Sequence, residues 1–255
     1  MHNLVDVAFV VDTTASMGGF LDTAKQRMKS MLQSISKAAN IDLRAVLVEY
    51  RDHPPEETSF VSRVATGKTP VTLDLFDRGL AGLQPVGGGD AAEAVLDGVA
   101  ELNGIQWRQH SRRIGFLVGD APGHGNHGDS RQWTGGCPCG KTPESVSAGL
   151  ETNGITLHGL VVTNSANAAK YFENLARFTG GGMISGAGIL QVEQLLQKEF
   201  GQIDLDKQVL DAVAQDAAWS LDSLVARLEL SSGVVDGSLR RLISRDLVRE
   251  PQAAA

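Results

Sequence analysis

The chain alternates between short runs that are apolar at nearly every position and longer runs in which apolar residues recur every three or four. Leu4 to Val11 is β-branched or apolar apart from Asp6, the pattern of a strand covered on both faces in the middle of a parallel sheet. Leu21 to Ala39 then carries Leu21, Ala24, Met28, Met31, Leu32 and Ile35 on one helical stripe. Leu43 to Val48 predicts a second strand that ends on Glu49 and Tyr50, and Phe60 to Ala65 predicts an edge strand after a charged, proline-rich loop. Leu73 to Leu83 predicts a helix, and Ile114 to Val118 a buried strand. Ser145 to Leu150 predicts a helix ended near Gly154, Ile155 to Val162 a strand, and Ala166 to Phe178 a helix closed by Gly180, Gly181 and Gly182. Met183 to Ser185 serves as a last short strand, and Ile189 to Phe200 as a closing helix packed through Ile189, Val192, Leu195, Leu196 and Phe200. Strand followed by helix, repeated, predicts an α/β fold over residues 1–201: a doubly wound, mostly parallel, Rossmann-like sheet with helices on both faces.

The polar residues that interrupt this pattern collect at strand ends. Asp12, Thr14 and Ser16 fall at alternate positions where the first strand breaks into a turn, at the carboxyl edge where open α/β sheets bind ligands. A carboxylate and two hydroxyls are hard oxygen donors that suit Mg²⁺, Mn²⁺ or Ca²⁺. Three donors are too few for such an ion, and Asp12 and Ser16 also fit as caps of the following helix. Two further loops add acids. Gly87-Gly88-Gly89-Asp90 precedes the helical pattern AAEAVLDGVAEL, and Gly119-Asp120-Ala121-Pro122 follows the strand ending at Val118.

Together these three loops resemble the von Willebrand factor A domain, whose metal-ion-dependent adhesion site uses DxSxS after the first strand, a Thr in a Gly-rich loop and an Asp after the fourth strand. Asp12, Thr14 and Ser16 match the first element with Thr in place of the first Ser, and Asp120 matches the third. The second element departs, because Asp90 stands where the family has Thr. GGGD, and the YRDHPP of Tyr50 to Pro55, resemble a subgroup related to the domain found beside alpha-kinases. The resemblance implies a metal set of Asp12, Thr14, Ser16, Asp90 and Asp120 holding Mg²⁺ (or Mn²⁺ or Ca²⁺), through which the domain binds a partner protein without catalysing a reaction. A third carboxylate strengthens cation binding and weakens the pull on an acidic partner side chain. Asp90 also fits as the cap of its own helix. The alternative that the oxygen cluster permits is a metal-dependent hydrolase or phosphatase.

The stretch after Asp120, APGHGNHGDSRQWTGGCPCGKT, is long for a loop in a compact domain and rich in Gly, His and Cys. His124, His127, Cys137 and Cys139 form a tetrahedral zinc set by ligand type, although C-x-C is tighter than the usual spacing. The other readings are a reduced or reversibly oxidised cysteine pair, and a His lying beside the oxygen-bound ion. Gly135 to Thr142 also spells a phosphate loop, but no strand leads into it, and Thr142-Pro143 reads as a helix N-cap followed by proline. No nucleotide is therefore expected. His158, inside an apolar strand, reads as a satisfied core histidine.

Beyond residue 201, Gly201 to Asp204 reads as a short linker, followed by helices over Lys207 to Ala214, Ser220 to Leu228 and Val234 to Ser244. This unit, residues 204–250, resembles the winged-helix subclass of helix-turn-helix proteins, with Leu247 to Arg249 as the stub of a wing. It carries six Lys plus Arg against nine Asp plus Glu, with Arg240, Arg241 and Arg245 clustered on the third helix. That balance favours protein binding or dimerisation over DNA regulation. PQAAA reads as a frayed tail.

With 42% hydrophobic residues, the 255-residue chain can bury a substantial core. A formal charge of -7 argues against nucleic acid as the main partner. No apolar run reaches a membrane span, no signal segment is recognisable, and two cysteines cannot build a disulfide framework; these point to a cytoplasmic protein.

Overall fold

A computed structural model describes residues 4–37, 41–125, 136–185, 189–216 and 218–249. Six strands form one sheet: β1 (Leu4–Asp12), β2 (Asp42–Tyr50), β3 (Ser62–Val64), β4 (Arg112–Gly119), β5 (Ile155–Val161) and β6 (Met183–Ser185). Their order is β3-β2-β1-β4-β5-β6. Only the short edge strand β3 runs antiparallel to its neighbour. From β1 the chain travels outward to β2 and β3, then crosses back to β4 on the other side of β1. The order therefore reverses between β1 and β4, which is where such sheets open a ligand crevice at their carboxyl ends. Asp12 is the last residue of β1 and Asp120 directly follows β4, so the topology brings them side by side.

Alternation along β1 divides the core in two. Val5, Val7, Phe9 and Val11 face α1 (Leu21–Lys37) and α2 (Leu73–Ala81), and meet Leu21, Ala24, Met28, Phe76 and Leu80. Ala8 and Val10 face the other layer, formed by α3 (Val95–Ala100), α4 (Pro143–Thr152) and α5 (Ala166–Phe178). Phe9 stacks on Phe116 at 5.3 Å between centroids and leans on Phe76 at 5.6 Å. Fully burying each such side chain contributes roughly 1.5–3 kcal/mol. Asp6, the polar exception in β1, is fully buried and accepts the Arg108 Nε at 2.6 Å. His158 is buried in the core as expected: its Nδ1 accepts the Gly182 N–H at 3.0 Å, its Nε2 lies 3.3 Å from Glu199 Oε1, and its ring stacks on Phe116.

Two local expectations are corrected. The helix after the glycine loop begins at Val95, because residues 91–94 are drawn into extended contact with the loop after β4, through a parallel bridge of Glu93 with Gly123. Gly201 to Asp204 is not a linker: α6 runs unbroken from Ile189 to Ala214. The reason is anchorage on both sides of the glycine. Glu199 accepts the Arg112 Nη2 at 2.6 Å, and Val209 and Ala212 enter a third apolar cluster. The side chains of Ile189, Val192, Leu195, Leu196 and Phe200, expected to pack this helix, fall outside the described residues, as does the PQAAA tail.

The third cluster joins α6 to α7 (Leu221–Leu228) and α8 (Ser232–Ile243) through Val209, Trp219, Leu224, Val235, Leu239 and Leu242. Ser220 begins α7 with a reciprocal capping box to Ser223. Among the described residues no strand follows β6, and Val248, expected in a wing, is buried in this cluster. Arg245 fastens the unit to the sheet domain, its Nη2 donating to the His110 carbonyl at 2.8 Å.

Candidate metal centre

The turn after β1 is built around one carboxylate. Asp12 Oδ1 accepts the Thr14 N–H at 2.8 Å and the Thr14 hydroxyl at 2.7 Å. Thr14 Oγ1 lies 3.1 Å from Ser16 Oγ, which donates to Asp120 Oδ1 at 3.2 Å. The sequence-predicted residues Asp12, Thr14, Ser16 and Asp120 thus form one contiguous set of oxygens. Octahedral coordination at 2.0–2.1 Å places neighbouring ligand oxygens about 2.9 Å apart, so these spacings match those of a magnesium shell.

The glycine loop closes over this turn by backbone pairing. Ala15 N donates to the Gly87 carbonyl at 2.9 Å, and Val86 N to the Thr13 carbonyl at 3.0 Å. Gly87 and Gly88 have φ of +81° and +80°, and a Cβ on Gly88 would stand 3.0 Å from Thr14. A left-handed backbone pressed against Thr14 accepts glycine far more readily than any other residue.

Asp90, at the end of the glycine loop, is half-buried. Its Oδ1 accepts the Ala92 N–H at 2.9 Å. The carboxylate that faces Asp12 and Asp120 electrostatically is Glu93, three residues further along and buried. Glu93 is held by backbone on both sides: its N–H donates to the Pro122 carbonyl at 2.9 Å and its carbonyl accepts the His124 N–H at 3.4 Å. Burial first, then the charges of Asp12 and Asp52, push its carboxyl far above the usual range. Burial, and less strongly the Asp120 charge, also raises Asp12 against the lowering effect of its Thr14 hydrogen bonds. Asp12 Oδ2 and Glu93 Oε2 are buried with no hydrogen-bond partner among the described residues. No described Lys or Arg pairs with Asp12, Glu93 or Asp120. Ionised carboxylates buried together without a cation cost several kcal/mol each, so Asp12 and Glu93 either hold a proton or take up a cation.

A second group of ligating side chains lies at the end of the β2 loop. His53 Nε2 is 3.0 Å from Asp97 Oδ2, 3.5 Å from Cys139 Sγ and 3.7 Å from Cys137 Sγ. Cys137 Sγ is 3.2 Å from Asp97 Oδ2, and Lys141 Nζ donates to Asp97 Oδ1 at 2.6 Å. Burial raises Asp97, but hydrogen bonds from His53 and Lys141 outweigh it and hold the carboxyl well below the usual range. Burial, then the Asp97 charge, pushes the Cys137 thiol up to about 12. His124, expected beside the cysteines, instead places Nε2 2.8 Å from Asp52 Oδ1; His127 lies outside the described residues. Thr142 is the expected helix cap, accepting the Ser145 N–H at 3.1 Å with Pro143 in the first turn of α4.

Sequence reasoning missed Glu93, Asp52, His53 and Asp97 as members of these groups. Two signals were present. Glu93 shares the glycine loop's continuation with Asp90, and Asp52-His53 sits in the YRDHPP stretch at the carboxyl end of β2.

Residues 6–129 match the family model of the von Willebrand factor A domain. The mostly parallel sheet flanked by helices is the α/β arrangement of that domain. The chain is 27% identical over 139 residues to the protein named alpha-protein kinase vwkA of Dictyostelium discoideum, a match that covers 53% of this chain and 22% of that relative. Among solved structures it superposes on proximal thread matrix protein 1 from the mussel byssus with a TM-score of 0.54 at 15% identity, covering 77% of this chain and 46% of the other. Another structure of that protein gives a TM-score of 0.52 at 14% identity, covering 77% of this chain and 45% of the other. The chain therefore spans under half the length of these proteins.

Proposed function

We propose that the protein is a divalent-cation-dependent protein-binding module and not an enzyme. Its metal centre consists of Asp12, Thr14, Ser16 and Asp120, with Glu93 as the further carboxylate. The observation that carries this reading is the pair of orphaned buried oxygens, Asp12 Oδ2 and Glu93 Oε2, beside the connected oxygens of Thr14, Ser16 and Asp120. When bound, Mg²⁺ supplies positive charge and an open coordination position at the sheet edge for a partner's donor atom. The von Willebrand factor A domain is generally an interaction module, which supports the same role here. Phe20 and Val86, on the two loops that meet at the centre, are 38% and 48% exposed and give the rim an apolar component.

The C-terminal helices serve protein contacts and not DNA. Of the three clustered arginines, Arg241 and Arg245 are committed to the buried Asp206, and Arg240 to Asp236. A face with its cations already paired offers little to phosphates.

The test is calorimetric titration with Mg²⁺ or Mn²⁺, expected to give one site that Asp12→Ala abolishes. Protein capture from an extract is expected to depend on Mg²⁺ and to fail with Asp120→Ala. Capture indifferent to both contradicts the reading. A phosphomonoester screen with Mn²⁺ checks the enzymatic alternative: turnover abolished by Asp120→Asn would replace a binding role with a catalytic one.

A further inference from the structure

We infer that His53, Asp97, Cys137 and Cys139 form a second metal site, a structural zinc centre separate from the oxygen site. Their four ligand atoms lie within 4.8 Å of one another and come from three places in the sequence: the loop after β2, helix α3, and the segment leading into α4. Zinc bonds of about 2.3 Å to sulfur and 2.0–2.2 Å to nitrogen and oxygen give a tetrahedron with edges of about 3.3–3.8 Å. The sulfur–nitrogen separations of 3.5 and 3.7 Å already have that length. Those to Asp97 Oδ2, at 3.0 and 3.2 Å, need only a few tenths more.

The donor chemistry selects the ion. Two sulfurs and an imidazole are too soft for Mg²⁺ or Ca²⁺ and suit Zn²⁺. The surroundings also match. Lys141 Nζ holds the other oxygen of Asp97 at 2.6 Å, which turns Oδ2 toward the site. Two thiolates and one carboxylate carry three negative charges; Zn²⁺ offsets two and the Lys141 ammonium the third. The two thiol protons leave to solvent when the ion binds. Four protein ligands leave no open position, the mark of a structural site. Its consequence is mechanical. It fastens the end of the long loop to β2 and α3, next to the Asp52–His124 contact and the Glu93 backbone, and so stiffens one wall of the oxygen centre.

The full chain, purified without chelator, is expected to contain about one zinc per molecule by mass spectrometry. With Co²⁺ in its place it should show tetrahedral visible bands and sulfur-to-cobalt charge transfer. Cys139→Ser and His53→Ala should lose the metal, whereas His124→Ala and His127→Ala keep it. Asp12→Ala should retain zinc while losing Mg²⁺, so failure of one site is distinguishable from failure of the other. If a variant does not fold, the wild-type zinc content and cobalt spectrum still decide. A wild-type chain that takes up neither ion, a Cys137–Cys139 disulfide in the reduced-buffer preparation, or loss of zinc in His124→Ala with retention in His53→Ala overturns the proposal.

Discussion

At the residue scale, the proposed metal centre gives Glu93 the part of the further carboxylate beside Asp12 and Asp120. Asp90 caps the turn at Ala92, whereas Glu93 is buried with an orphaned oxygen among like charges. Removing one negative group from a cation site commonly weakens binding by about tenfold or more. Glu93→Gln is therefore expected to weaken Mn²⁺ binding by at least about tenfold, and Asp90→Asn to change it by less than about threefold, both read by calorimetry. Equal losses would assign the two carboxylates equal roles. Asp12, Thr14, Ser16 and Asp120 were legible because a strand followed by alternating oxygens fixes where they point. Glu93 was not, because a helical spelling over AAEAVLDGVAEL hides the backbone pairing with Gly123 that draws residues 91–94 out of the helix.

At the element scale, α6 is the feature the sequence misrepresents. Gly201 looks like a hinge, yet it lies inside a helix of 26 residues, exposed, with open space around the position of a Cβ. Gly201→Ala should stabilise the protein by about 1 kcal/mol, measured by denaturant titration; no gain, or a loss, would mean that residue 201 is not helical in solution. What holds α6 to the sheet is Glu199, paired with Arg112 and facing His158. Burial opposes ionisation of Glu199, but the Arg112 charge and the His158 hydrogen bond outweigh it and lower its pKa from 4.5 to about 2. The sign follows from that depression: its stabilisation is present in full above the unfolded pKa and is lost as pH falls from about 4.5 toward 2. Unfolding free energy measured across that window should fall with acid, and Glu199→Gln should flatten the fall; an unchanged slope would remove Glu199 from the account. The strands were legible from their apolar runs, with edges shifted by a few residues. The pairing of Arg112 with Glu199 links residues 87 positions apart, which no local pattern reveals.

At the scale of the whole molecule, topology does the assembling. The reversal of strand order between β1 and β4 makes Asp12 and Asp120 neighbours, and the glycine loop brings Glu93 to them. Among the described residues no helix is long and apolar enough to cross a membrane. The central claim is that carboxylates from separate loops share one divalent cation. The most direct measurement is a crystal structure with Mn²⁺ and its anomalous difference map. The account predicts one manganese peak that takes oxygens, about 2.1–2.3 Å away, both from the turn of Asp12, Thr14 and Ser16 and from Glu93 or Asp120 on the later loops. A fully soaked crystal with no peak there, or with manganese only elsewhere, would contradict it.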